Sequence, residues 1–171
     1  MSKRSDFHDR VVKILFELCK ELKTPAGKSY YSSIFADHIG QDYKPIILTA
    51  HISKHKPLAK NYYPDIWAQV NGKRERDIYE VWHTETEADA VRDIVFSCLV
   101  EGVKYIGIVC TEENLTDDDA EALAHLVNRL SEDEEKKPST NGTIEIAKVP
   151  RELRNDKVKL KKYLKEKLEF K

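Results

Sequence analysis

Residues 63–85 read YPDIWAQVNGKRERDIYEVWHTE, and the way this stretch folds decides the architecture of the chain. Asn71-Gly72 stands between two strand-like runs. An Asn-Gly pair in that setting is the strongest short signal for a hairpin, so the stretch predicts two antiparallel strands, over 64–71 and 73–84. A two-residue turn pairs Val70 with Lys73. Asp65 then faces Ile78, and Asp65 and Glu80 become diagonal neighbours on one face, roughly 7–8 Å apart at Cα. A loop two residues longer sets Asp65 directly opposite Glu80. Both registers keep the acids on one face, whereas a slip of one residue separates them.

Two carboxylates held close together repel unless a cation lies between them. Mg²⁺ suits such a gap because it is hard, prefers oxygen, and commonly takes one or two protein carboxylates with water and substrate phosphate. An ion held that way activates a water and stabilises charge on a phosphate. Two acids at a strand end in solvent produce the same spacing, so the spacing alone leaves both readings open.

Working outward, Phe7, Val11, Ile14, Leu15, Leu18 and Leu22 form one stripe opposite Arg10, Lys13, Glu17 and Lys20. This predicts a helix over 6–23, stopped by Thr24-Pro25-Ala26-Gly27. Residues 28–44 are aromatic and show no clear period. Residues 45–56 alternate, with Ile46, Leu48, Ala50 and Ile52 on one face, and predict a strand. Thr86 and Asp89 form a capping box for a helix that Gly102 closes. Val103 to Cys110 is a buried-strand run. Thr116 opens another helix through Leu130, and the charged stretch 131–142 is a loop. Thr143 to Val149 is a short strand. Arg151 to Phe170 is a charged helix with a break near Asn155-Asp156.

The order is helix, three strands, helix, strand, helix, strand, helix. It predicts an α/β fold, a mixed central sheet with helices on both faces. No repeat and no long linker divides the chain, so residues 1–171 read as one domain: a core over 6–110, then a helix, an acidic loop, a strand and a basic C-terminal helix over 111–171.

Pro64-Asp65, a short hairpin, the apolar-flanked acid of IYEV (Ile78 to Val81), then a helix and a buried strand resemble the PD-(D/E)XK nuclease superfamily. That is the fold of restriction endonucleases and archaeal junction resolvases. The motif covers residues 64–82, and the family core, αβββαβ, is the order read over 6–110. The resemblance implies a restriction endonuclease-like fold and DNA cleavage dependent on Mg²⁺ or Mn²⁺, with Asp65 and Glu80 as metal ligands. It also implies help from an acid on the first helix, for which Glu17 and Glu21 are the candidates.

Trp82 departs from the pattern. The family has a lysine two residues after the second acid, where a cation steers water or stabilises developing charge. Three readings follow. The cation has moved, with Lys54, Lys56 and Arg92 as candidates. A histidine replaces it, from His51, His55 or His83, although His83 alternates to the face opposite Glu80. Or the chemistry is lost and the fold binds nucleic acid or a protein partner. Trp67 lies on the same side as Trp82, and two indoles there either stack on an unpaired base or pack under a helix or in a dimer interface. His51 and His55, on one straight strand, would lie roughly 13 Å apart, too far to chelate one ion. They read better as contacts at a phosphate-binding edge with Lys54, Lys56 and Lys60.

Bulk composition bounds these readings. The chain has 171 residues, 40% hydrophobic and 35% charged, a globular composition. It lacks an apolar run of the roughly 18 residues needed to cross a membrane, and the basic start, MSKRSDFHDR, lacks an apolar signal core. A cytoplasmic protein without a membrane partner is expected. Cys19, Cys98 and Cys110 sit apart in apolar segments and read as buried free thiols. Net charge is −1 but unevenly placed: residues 112–135 hold ten acids against Arg129, and residues 151–171 hold nine bases against four acids. Such asymmetry marks either solvated helix faces or a nucleic-acid footprint. The C-terminal seam of Val158, Leu160, Tyr163, Leu164 and Leu168 covers the sheet, zips to a second copy as a homodimer, or lays its lysines along phosphates. Phosphate-loop, dinucleotide, nucleophile-elbow and HExxH motifs are absent from the sequence. The expectation is a divalent-metal-dependent DNA endonuclease with an atypical site. The alternatives are a nuclease-fold protein without catalysis and a structural oligomer subunit.

Overall fold

A computed structural model of the chain describes residues 6–37, 43–53, 56–83, 87–98, 100–114, 122, 143–168 and 170, with 47–53, 56–60 and 87–88 described as backbone alone. The first helix, α1, spans Asp6–Glu21. Strand β1 spans Tyr31–Ala36, β2 Ile46–Ser53, β3 Lys56–Tyr62, β4 Ile66–Val70 and β5 Arg76–Trp82. Helix α2, Glu87–Cys98, carries the chain to β6, Val103–Thr111. Strand β7 is Thr143–Val149, and α3 is Lys157–Lys167 after a single 3₁₀ turn at Arg151–Leu153.

The fold is α/β, with a five-stranded mixed sheet in the order β1-β4-β5-β6-β7 and a separate hairpin, β2-β3. Strands β1, β4 and β5 pair antiparallel, and β5, β6 and β7 pair parallel. A parallel step needs a crossover, and α2 supplies it between β5 and β6.

Each face of the sheet carries its own core. Val11, Ile14, Leu15 and Leu18 of α1 and Leu160 and Leu164 of α3 cover Ile66, Ala68, Tyr79, Val81, Val109 and Ala147. Ala90, Ile94 and Cys98 of α2, with Ile46 and Tyr62 of the hairpin, cover Ile78, Trp82, Ile106, Ile108 and Cys110. Removing each large aliphatic side chain from water stabilises the fold by about 1.5–3 kcal/mol. The three cysteines are free and buried. No helix among the described residues is long and apolar enough to cross a membrane.

The structure departs from expectation at two places and, at a third, decides between the two hairpin registers left open. The sheet's first antiparallel strand is β1, within the segment that showed no period. Its register shifts between Tyr31 and Ser33, and such a bulge breaks the two-residue alternation by which a strand is recognised. The alternating run expected as a strand over 45–56 ends at Ser53 and turns back, with Ser53 paired to Lys56 and His51 to Pro57. The strand that carries His51 thus stops short of residue 55, which lies outside the described residues. Third, the β4–β5 loop is two residues longer than the simple turn. Val70 N–H donates to Glu75 O at 2.9 Å, and Ile66 pairs with Tyr79. Asn71 is tied elsewhere: its backbone N–H donates to Tyr30 O at 2.8 Å and its side-chain amide to Ser29 O. The Gln69 amide fastens the loop from inside, donating to Lys73 O and Glu75 O. Asn71 and Gly72 still form the centre of a turn, closed by Lys73 N–H donating to Val70 O at 3.3 Å, with Gly72 at φ +71°. The helix expected from Thr116 and the loop over 131–142 lie outside the described residues, apart from residue 122.

The break expected near Asn155-Asp156 is present. Asp156 caps α3, accepting from Val158 N–H and Lys159 N–H. Leu160, Leu164 and Leu168 of the C-terminal seam lie in the α1-side core, while Val158 is 79% exposed.

Candidate active site

Asp65 directly precedes β4, and Glu80 lies near the end of β5. Extending the β4–β5 register by one residue sets them opposite each other. Both fall on the face of Trp67, Ile78 and Trp82, the face covered by α2. The Asp65 backbone N–H donates to Glu80 Oε2 at 3.3 Å. Asp65 Oδ2 accepts from Val81 N–H at 2.8 Å, taking the place of a strand carbonyl where β4 has run out. His8 Nε2 of α1 donates to Asp65 Oδ1 at 3.0 Å.

Glu80 is only 5% exposed. Its Oε1 accepts from the Tyr62 hydroxyl at the end of β3, and that hydroxyl lies 2.8 Å from Ser97 Oγ of α2. Burial, then the charges of Asp65 and Asp93, push the Glu80 carboxyl well above the usual carboxylate range. Asp93 of α2 is raised as well, by burial, with the Arg92 guanidinium working against the shift. Burial and the Glu80 charge raise the Tyr62 and Tyr43 hydroxyls, and Tyr43 donates to Pro64 O beside the pair. The site is therefore a cluster of acids and hydroxyls in which negative charge is disfavoured.

The structure brings together only some of the residues singled out from sequence. Asp65 and Glu80 meet. Arg92 binds Asp89 at 3.0 Å and Asp93 at 3.1 Å, and Glu80 lies within its field. Among the described residues no lysine or arginine forms an ion pair with Asp65 or Glu80. Lys54 and His55 lie outside the described residues, and Lys56 and His51 are described as backbone alone. Trp82 is 2% exposed in the α2-side core, and its buried Nε1 has no acceptor among the described residues. Its role in the structure is packing. Trp67 is half-buried, stacks on Phe35 at 4.4 Å, and donates from Nε1 to Lys44 O. The His83 ring lies 5.2 Å from Phe7, on the α1 side. Glu17 and Glu21 pair with Lys157 and Lys161 of α3.

Sequence reading passed over His8, Tyr62, Asp93 and Ser97. His8 shares helical spacing with the buried Val12, Leu15 and Cys19, which marks it as inward-facing. Asp93 and Ser97 are four apart on α2, beside the inward Ala90 and Ile94. Tyr62 carries no comparable signal, because its position depends on the β2–β3 pairing.

No family model, curated protein or solved structure matches the chain. Among the described residues no group of three or more His, Cys, Asp and Glu side chains is arranged to hold a metal ion.

Proposed function

We propose that the protein is a divalent-metal-dependent nuclease of the restriction endonuclease-like class, cleaving phosphodiester bonds in DNA at Asp65 and Glu80. The observation that carries this reading is the opposition of those two carboxylates on one face, in surroundings where Glu80 resists carrying its charge. The sheet supports it too: α1, β1, β4, β5, α2 and β6 run in the order αβββαβ, with β2-β3 as an inserted hairpin.

The donor set suits Mg²⁺ or Mn²⁺ in kind. Two hard carboxylates suffice for such an ion when water and phosphate complete its shell, so a third protein ligand is not required. Bound between Asp65 and Glu80, the ion would supply a polarised water and offset charge on the phosphate. The chain's own residues do the positioning. His8 and the Val81 N–H hold Asp65 by both oxygens. Tyr62, backed by Ser97, holds Glu80 by Oε1. Burial leaves little bulk water around Glu80, which strengthens every charge interaction it makes.

A second reading is favoured by Trp82. An indole packed in the core where the family has its lysine supplies no cation. On this reading the protein binds nucleic acid without cutting it.

Plasmid and branched DNA incubated with the protein and Mg²⁺ or Mn²⁺ separate the two. The nuclease reading expects nicking that Asp65→Ala and Glu80→Ala both abolish, with unchanged circular dichroism. A gel shift that weakens steeply with salt, without nicking under either ion, would establish the second reading. Neither nicking nor a shift would remove both.

A further inference from the structure

We infer that a cavity on the α1 side of the sheet, remote from Glu80 and facing the other way, binds a guanine nucleotide, with the base stacked among tyrosines and its N–H edge donating to Asp77. The inference does not depend on the nuclease reading. The cavity has a volume of about 470 Å³ and lies between the end of α1, the first residues of β5, β6 and β7, and the chain after α3. That volume is within the range of small-molecule sites, which are concave, mostly apolar and furnished with a few placed polar groups.

The walls are aromatic. Tyr30, Tyr31, Tyr79, Tyr105 and Phe170 line the cavity. Tyr79 stacks on Phe170 at 5.4 Å, and Tyr105 leans against Tyr79 at 5.7 Å. Gly107 makes this arrangement sterically feasible. A Cβ there would come 2.7 Å from the Tyr79 ring and 3.1 Å from the Tyr105 ring, so any other residue would displace both.

The polar group is Asp77, 4% exposed and lining the same cavity. The Tyr31 hydroxyl donates to its Oδ2 at 2.6 Å. Its Oδ1 is buried and has no donor among the described residues. A buried polar atom left unpaired is costly, and native proteins leave few of them. The missing partner must be an N–H or O–H donor.

An unfilled acceptor among π faces suits a planar base better than an aliphatic ligand. Guanine offers a ring N–H and an exocyclic amino group side by side, two adjacent donors for one carboxylate. Uracil offers a lone ring N–H flanked by carbonyl oxygens, which the carboxylate repels. At the rim, Lys23 and Lys104 line the cavity. Lys23 donates to Ser29, and Lys104 pairs with Glu75 and interacts with the Tyr30 hydroxyl; each ammonium has three donors, so both retain capacity for a phosphate.

The test is calorimetric titration of the full chain with GMP and, separately, UMP. GMP should bind saturably at one site, and UMP at least about tenfold more weakly, the scale of a lost hydrogen bond to a charged group. Asp77→Asn should weaken GMP at least about tenfold by the same argument. Thr143→Trp, at an exposed position on the cavity edge, should obstruct entry to a similar extent without disturbing the core. Thermal melts verify that both variants are folded. Absence of saturable GMP binding to the folded wild type would overturn the assignment, as would equal affinity for GMP and UMP, or GMP binding undiminished in both variants.

Discussion

Asp77 and Glu80 lie three residues apart on β5 and face opposite sides of the sheet, each in a core of its own. Both are nearly fully buried, and burial is the largest influence on each. Their neighbours differ in sign. Asp77 has the Tyr31 hydroxyl and the field of Lys104 in its favour, and its carboxyl is raised only to about 6. Glu80 has Tyr62 and a backbone N–H in its favour, but Asp65 and Asp93 oppose its charge, and its carboxyl lies well above the usual range. Similar exposure therefore leaves one acid able to ionise at neutral pH and the other disfavouring its charge. That contrast is the physical basis for the two proposals, a metal on one face and a hydrogen-bond donor on the other.

Three measurements can break or sharpen it. The largest effect belongs to Asp77. A carboxyl raised in the folded state lends stability that is complete below its unfolded value near 3.8 and is lost as pH rises through about 6. Asp77 should account for a loss of about 3 kcal/mol across that window, from a shift of about two units at ~1.4 kcal/mol each. Asp77→Asn should flatten the profile in urea unfolding at pH 4, 5, 6 and 7. A profile unchanged by the substitution would mean that another group carries the slope.

Glu80 comes next. Its raised carboxyl likewise costs stability as pH rises, so Glu80→Gln should stabilise the protein at pH 8 by about 0.5–2 kcal/mol while abolishing nicking. A destabilised Glu80→Gln would show that the ionised carboxylate is well accommodated without a cation. The smallest effect is expected at the α1–α3 surface. Glu17 is held below the usual carboxylate range by hydrogen bonding to Lys157, with Lys161 adding to it, so its contribution is present above that range and lost as pH falls. The pair is solvent-exposed, and Glu17→Gln should cost about 0.5 kcal/mol or less, and less again in high salt. A larger loss would make α3 an electrostatic attachment rather than a hydrophobic one.

Much of the Glu80 face was legible in the sequence. Alternation along IYEVW sends Ile78, Glu80 and Trp82 one way and Tyr79 and Val81 the other, and the structure agrees. The hairpin was legible as well, because Gly72 requires a turn. Its register was not: Asn71 bonds to Ser29 and Tyr30, residues some forty positions away. The Asp77 side was less accessible still. Nothing in RDIYEV distinguishes an acid with both oxygens satisfied from one with Oδ1 unpaired, since the difference rests on Tyr31, in a bulged strand.

The sequence by itself determined α1, α2, β5, β6 and β7, and in α1, α2 and β5 the faces to which side chains point, because helix and strand periods are local properties of a few consecutive residues. Only the tertiary structure decided that β1 rather than the 46–53 run joins the sheet, that Asp65 stands opposite Glu80, and that His8 and Tyr62 hold them. Those outcomes depend on which distant segments bury one another and satisfy each other's hydrogen bonds, and no local period encodes such partners.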